Sequence, residues 1–189
     1  MQTLLKTGMR PVTAKAFYRL PETNQFCELI EGELVMPPSP DPSHQTIAGT
    51  IFGELCLYLR DRPLGTVYHA PLDVELSPVN VYQPEVLFVS EGRRDRVKRK
   101  RVVGAPDLVV EVLSPSTARY DQGDKLLRYA RSGVVEMWLV DPEDRQVQVY
   151  RFDREDPIKP KQVLGGGDVL RTDLLPGFEM PLGRFFLMA

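Results

Sequence analysis

Apolar residues recur at helical spacing between Ser43 and Leu59, where Ile47, Ala48, Ile51, Phe52, Leu55 and Leu59 form one stripe; that period predicts an amphipathic helix. His44 lies one turn before Ala48 and points along the same stripe. Thr13 predicts the cap of a shorter helix through Leu20, closed by Pro21. Elsewhere the pattern shortens to alternation or to continuous apolar runs, which predict strands. They cover Phe26 to Met36, with Glu31-Gly32 as a turn or bulge inside a hairpin, then Thr66 to Leu76 and Gln83 to Val89. Asp107 to Leu113 carries Leu108, Val109, Val110 and Val112 and reads as a strand buried on both faces. Ser114-Pro115-Ser116-Thr117 then supplies a turn and an N-cap, and the next helix runs to about Ser132 and stops at Gly133. Val134 to Val140 and Gln146 to Phe152 predict a hairpin turning at Asp141-Pro142-Glu143-Asp144. The pattern predicts one α/β domain spanning residues 1–189, with a mixed sheet and few helices.

Composition narrows the chemistry. At 189 residues, 42% hydrophobic and 26% charged, the chain can bury one ordinary core without a disulfide or structural metal. Its two cysteines, Cys27 and Cys56, form no C-x-x-C pattern, and its two histidines are too few for a multi-histidine zinc site. Any metal must therefore lean on carboxylate oxygens, which favour magnesium or manganese. No apolar run approaches the roughly 20 residues that span a bilayer, and Met1 to Arg10 has no apolar segment of the signal-peptide kind, so the expected compartment is the cytoplasm. A net charge of −2 argues against a basic nucleic-acid coat protein and leaves room for a local basic patch.

Glu111 is the residue out of place. It interrupts Leu108-Val109-Val110-Glu111-Val112-Leu113 and shares a face with Val109 and Leu113. A carboxylate there loses solvation and needs a partner or a metal. Glu85 opens another apolar strand, Val86-Leu87-Phe88-Val89; if the two strands are neighbours, their carboxylates converge as two hard ligands for a hydrated magnesium ion. The alternatives are a buried ion pair, or a strand-end acid in solvent. Lys125, in the helix after Glu111, could orient a water or stabilise charge on a phosphate. Equally, Asp121 and Lys125 at i, i+4 read as a surface pair worth only about 0.3–0.5 kcal/mol. Glu28 is flanked by apolar residues and reads as partly buried, whereas Glu31 and Glu33 read as a solvated hairpin face. His44 could bind an acid or ligand, or be a satisfied core histidine. Arg93, Arg94, Arg96, Lys98, Arg99, Lys100 and Arg101 form a basic segment between the Glu85 and Glu111 strands, either a polyanion contact or a solvated charge run.

These residues carry a resemblance. Pro84-Glu85 followed by Glu111-Val112-Leu113 resembles the PD-(D/E)xK nuclease signature, and the chain more closely resembles the Uma-two family of restriction-endonuclease-like proteins. The matching stretches run from Glu28-Leu29-Ile30-Glu31-Gly32-Glu33-Leu34 through Ser39-Pro40, His44-Gln45 and Gln83-Pro84-Glu85 to Gly104-Ala105-Pro106-Asp107 with the Glu111 strand and Ser114-Pro115-Ser116. Asp121, Lys125, Gly133-Val134 with Glu136 and Trp138, Val140-Asp141-Pro142 and Leu175-Pro176-Gly177-Phe178 complete them. The resemblance implies a restriction-endonuclease-like fold, a central mixed sheet flanked by helices. It implies Glu85 and Glu111 as metal ligands, Glu28 as an additional acid, and His44 as a position near the site. The signature lysine would stand at Leu113; the resemblance implies that Lys125 has taken its place, with Glu85 where aspartate is more usual.

The expectation is a nuclease dependent on Mg²⁺ or Mn²⁺ that hydrolyses DNA phosphodiester bonds, with Glu85, Glu111, Glu28 and Lys125 at the reaction and Asp121 and His44 in support. Arg99, Lys100 and Arg101 are expected to hold the DNA backbone, and the chain to act as a homodimer without a membrane partner. The rivals are an inactive nucleic-acid-binding protein on the same fold and a hydrolase of small phosphoesters.

Overall fold

The computed structural model describes residues 2–3, 11–21, 26–37, 39–114, 121–152 and 158–186. Its elements are β1 (Gln2–Thr3), α1 (Ala14–Phe17), β2 (Glu28–Ile30), β3 (Glu33–Met36), α2 (Pro42–Leu59), β4 (Gly65–His69), β5 (Val74–Ser77), β6 (Asn80–Tyr82) and β7 (Val86–Ser90). A 3-10 turn (Glu91–Arg96), β8 (Val102–Val103), β9 (Leu108–Val112), a π-helical turn (Asp121–Lys125) and α3 (Leu126–Ser132) follow. The chain continues through β10 (Glu136–Asp141), β11 (Gln146–Arg151), β12 (Gln162–Gly165), β13 (Val169–Leu170), β14 (Met180–Pro181) and α4 (Leu182–Phe185). The expected helix cap at Pro115-Ser116-Thr117 lies outside the described residues.

The expected mixed α/β architecture is present, but its sheet is divided. One six-stranded sheet runs β12-β11-β10-β9-β7-β4, another β1-β3-β2-β6-β5-β8, and β13 pairs with β14 alone. In the first sheet β9 and β10 are parallel, joined through α3, while the other neighbours are antiparallel. The division falls inside the segment Thr66 to Leu76, which the sequence pattern reads as one strand. β4 ends at His69, Pro71 brings no amide hydrogen to continue a ladder, and β5 resumes in the second sheet.

Both faces of the first sheet are covered, which is why β9 is an almost unbroken apolar run. On one face α2 buries Ile47, Ile51 and Leu55 against Val86, Phe88, Val110, Val112 and Trp138. On the other, Val109, Leu113, Met137 and Leu139 meet Ile30 and Tyr82 of the second sheet and Leu126 and Tyr129 of α3. The second sheet has its own outer layer, where Leu29 and Val81 pack on Ala14 of α1. Alternation therefore turns Glu28 and Ile30 inward, towards the first sheet.

The local signals work as their chemistry requires. Thr13 caps α1 by accepting from the Ala16 amide, and Asp41 caps α2 by accepting from the His44 amide at 2.8 Å. Gly133, at φ +89, ends α3 in the left-handed conformation. At the β2–β3 turn Gly32 has φ +79, and a Cβ there would lie 2.3 Å from Pro11 Cβ, so no other residue fits. Among the described residues no helix is long and apolar enough to cross a membrane.

One buried carboxylate lies away from the β7–β9 strand ends. Glu136 is 1% exposed and accepts from Trp138 Nε1 at 2.7 Å and Arg151 Nε at 2.9 Å. Burial nevertheless pushes its carboxyl above the usual glutamate range. Protonation is then easier in the folded chain, so the stability it contributes is full at low pH and is lost as pH rises through the folded value. The advantage of wild type over Glu136→Gln should shrink as pH rises above the usual glutamate range in urea unfolding at successive pH values; an advantage that grows with pH would contradict this account.

Candidate functional site

The strand ends of β7 and β9 build the site. Their antiparallel ladder runs as far as the pair of Val86 and Val110, and Glu85 and Glu111 are the next residues beyond that pair on the two adjoining chains. Glu111 is 4% exposed, between the first sheet and α3. Of the two readings of Lys125, a functional lysine or a surface partner of Asp121, the surface position is not the one observed. Lys125 is 5% exposed, its Nζ lies 2.8 Å from Glu111 Oε1 and 3.6 Å from Glu28 Oε1, and it sits over the Tyr82 ring. Asp121 opens the π-helical turn, and its side chain lies outside the described residues. A π turn immediately before α3 is the kind of irregularity that re-aims side chains at functional sites.

Three further contacts are not evident from the sequence pattern. Tyr129, one turn beyond Lys125 and fully buried, donates its hydroxyl to the same Glu111 Oε1 at 2.6 Å. Burial, with Glu111 beside it, pushes the phenol well above its ordinary pKa, so it stays a donor. The backbone amide of Gln83 donates to Glu28 Oε1 at 2.9 Å, while Gln83 Nε2 donates to Asp73 Oδ1 at 2.7 Å. The i, i+4 spacing of Lys125 and Tyr129 is the one signal that could have found Tyr129.

His44 reaches the same place from α2. It is 7% exposed, and its Nε2 lies 3.1 Å from the Val112 carbonyl oxygen and 3.5 Å from Glu85 Oε1. Both neighbours are acceptors, so the network assigns the proton to Nε2; Nδ1 is buried without a hydrogen-bond partner. The contacts thus form two groups at these strand ends, Lys125 with Glu111 and Glu28, and His44 with Glu85 and the Val112 carbonyl.

The basic segment is mostly occupied elsewhere. Arg93 pairs with Asp107 at 3.2 Å and donates to the Pro106 and Gly133 carbonyls; Arg96 donates to the Ala105 carbonyl. Arg101 pairs with Glu75 at 2.8 Å and lies over the Tyr18 ring, so its guanidinium braces the fold. Arg99 and Lys100 are exposed. The end of the segment returns towards the site: the Val102 amide donates to the Asp73 carbonyl at 2.9 Å, and Asp73 holds Gln83, two residues before Glu85.

The donors suit a hard divalent ion. Glu85, Glu111 and the Val112 carbonyl offer oxygens at adjoining strand ends, and magnesium needs only one or two carboxylates because it keeps several waters. Among the described residues no group of three His, Cys, Asp or Glu side chains is arranged to hold an ion, so any ion here relies on those few oxygens and water.

A family model described as "putative restriction endonuclease" matches residues 14–183. The chain belongs to the Uma2 family. An uncharacterised protein of Synechocystis sp. is 28% identical over 113 residues, which span 60% of this chain and 58% of that one. A crystal structure of a "putative nuclease" of DUF820 from Anabaena variabilis superposes with a TM-score of 0.79 at 21% identity, covering 94% of this chain and 99% of the other. The Uma2 fold is therefore shared with that protein over nearly its whole length.

The buried ammonium has an energetic consequence. Lys125→Met leaves Glu111 and Glu28 buried without their cation, a loss of about 3–5 kcal/mol in urea unfolding. Glu111→Gln added to the same chain should recover much of it. A loss below about 1 kcal/mol would be the behaviour of a solvated pair and would contradict the geometry.

Proposed function

We propose that this Uma2 protein is a nuclease dependent on Mg²⁺ or Mn²⁺ that hydrolyses DNA phosphodiester bonds. The observation that carries the reading is Lys125 Nζ between Glu111 Oε1 (2.8 Å) and Glu28 Oε1 (3.6 Å), beside the end of the β7–β9 ladder that Glu85 precedes. Glu85 and Glu111 would hold the ion. When bound, a divalent ion supplies Lewis acidity towards a phosphoryl oxygen and an attacking water. Lys125 is the donor for the negative charge that grows on the phosphate, or for orienting the water. Glu28 holds that ammonium in place, itself fixed by the Gln83 amide. His44 steadies Glu85 and the Val112 carbonyl. Exposed Arg99 and Lys100 are suited to backbone phosphates, with Arg101 bracing their loop on Glu75. A homodimer would present one such site to each strand of a duplex.

Two observations favour a second reading, an inactive nucleic-acid-binding protein. Lys125 already neutralises the buried carboxylates, and no three-residue metal cluster exists among the described residues.

The discriminating assay offers supercoiled plasmid and single-stranded DNA with magnesium, manganese or chelator, beside Glu111→Gln and Glu85→Ala. The nuclease reading expects metal-dependent cutting that both variants abolish. Salt-sensitive binding with no cutting under any metal would establish the second reading, and cutting retained by Glu111→Gln would remove Glu111 from the chemistry.

The basic loop makes a separate prediction. Replacing both Arg99 and Lys100 with alanine should reduce the slope of log K against log salt by roughly 2, because each phosphate that is no longer neutralised takes about 0.9 from it. An unchanged slope would place the DNA elsewhere.

A further inference from the structure

We infer that Tyr129 is a positioning residue of the metal site, locking the Glu111 carboxylate in the rotation from which it ligates the ion. The inference rests on the proposed metal-dependent reading and adds a residue to it.

A carboxylate on a strand turns freely about its last bond unless something holds one oxygen. Here Glu111 Oε1 takes two donors at once, the Tyr129 hydroxyl at 2.6 Å and Lys125 Nζ at 2.8 Å. The two have different origins of rigidity. Lys125 ends the π-helical turn, carries a long flexible stem, and is shared with Glu28 at 3.6 Å. In catalysis it is also the group that must serve the phosphate. Tyr129 has none of that freedom. Its ring is fully buried between Leu126 and the strands, with the Tyr82 ring 5.5 Å away, and the next residue back, Arg128, ties α3 to the β2–β3 turn through Glu31 at 2.8 Å. The phenol therefore holds Glu111 when the ammonium turns to substrate. A residue that orients a ligand in this way is worth about 10- to 100-fold in metal affinity.

A purely structural role predicts something else. Tyr129 would then contribute packing through its ring, and removing the hydroxyl would change stability without touching metal affinity.

The test is titration of Mn²⁺ followed by electron paramagnetic resonance of the free ion, on wild type, Tyr129→Phe and Tyr150→Phe, with thermal unfolding of each in chelator. Tyr150 is a buried tyrosine of the same core whose hydroxyl bonds to Gln148, outside the site. The inference expects Tyr129→Phe to weaken Mn²⁺ binding by about 10-fold or more and Tyr150→Phe to leave it unchanged. Tyr129→4-aminophenylalanine, which keeps a donor at the same atom, should restore affinity, and isosteric Tyr129→4-methylphenylalanine should not. That donor and non-donor pair decides the matter if Tyr129→Phe fails to fold. Wild-type affinity in Tyr129→Phe, or equal affinity in the two unnatural variants, overturns the role of Tyr129 and leaves the metal site standing. Absence of Mn²⁺ binding by wild type overturns the metal site itself, and the inference with it.

Discussion

The buried contact between Glu111 and Lys125 is the constraint around which this end of the molecule is organised. At 2.8 Å the attraction is about 6 kcal/mol for an effective dielectric constant of about 20. Desolvation costs several kcal/mol for each of the two ions, so the pair alone does little more than break even. What makes the arrangement tenable is the set of further polar partners. Tyr129 donates to the same carboxylate oxygen, Glu28 shares the ammonium, and the Gln83 amide satisfies Glu28. Each removes part of the penalty that an isolated buried charge would carry. A fold selected for stability alone could fill this volume with apolar side chains at no loss. That this chain keeps such a set of polar groups there is an argument for chemistry at the site.

The surrounding elements serve to bring those groups from distant parts of the sequence. Antiparallel pairing of β7 and β9 places Glu85 and Glu111 just beyond the pair of Val86 and Val110. The inward face of β2 delivers Glu28 across the gap between the two sheets, and Arg128 to Glu31 fastens that hairpin to α3. At the turn of that hairpin, Gly32 lets Pro11 lie against the backbone. Pro71 divides what would be one long strand, and the division creates the second sheet that roofs the site.

Local pattern carries much of this. The helix from Pro42 to Leu59, the β10–β11 hairpin, the Glu31-Gly32 turn and the stop at Gly133 all follow from period, capping and turn chemistry, which are properties of neighbouring residues. Glu111 is legible for a related reason: one charge in a run of aliphatic residues must be compensated by something nearby. The identity of that something is not. Whether Lys125 faces solvent with Asp121 or the interior with Glu111 depends on which side of α3 meets the sheet, a tertiary fact. Arg101 departs from expectation for the same reason. In sequence it is one of a row of cations, and only the approach of Glu75 and Tyr18 from other elements takes it out of the row. Tyr129 is marked in the sequence only by its i, i+4 spacing from Lys125, because a tyrosine at a helical core position looks like packing; its hydroxyl acquires meaning only once Glu111 is known to lie at its tip.

On the proposed metal-dependent reading, the ammonium and a divalent ion would answer the same electrostatic need. Without an ion, Lys125 stands between Glu28 and Glu111 and holds the two carboxylates together. An ion taking up Glu111 and Glu85 would relieve Lys125 of part of that duty, because the carboxylate charge it neutralises would be shared. The lysine then has an ammonium to offer to a phosphate without leaving a bare carboxylate behind it. Glu28 fits this division of labour: at 3.6 Å it is the looser of the two acceptors, and its Oε1 is retained by the Gln83 amide whether or not the ammonium stays. In the PD-(D/E)xK pattern the lysine follows the acid on the same strand. Here Leu113 occupies that place and is buried in the core with Val109, so strand β9 is free to be apolar on both sides of its one charge. α3 and the turn before it bring Tyr129 and Lys125 to Glu111 from successive turns of one stretch of chain.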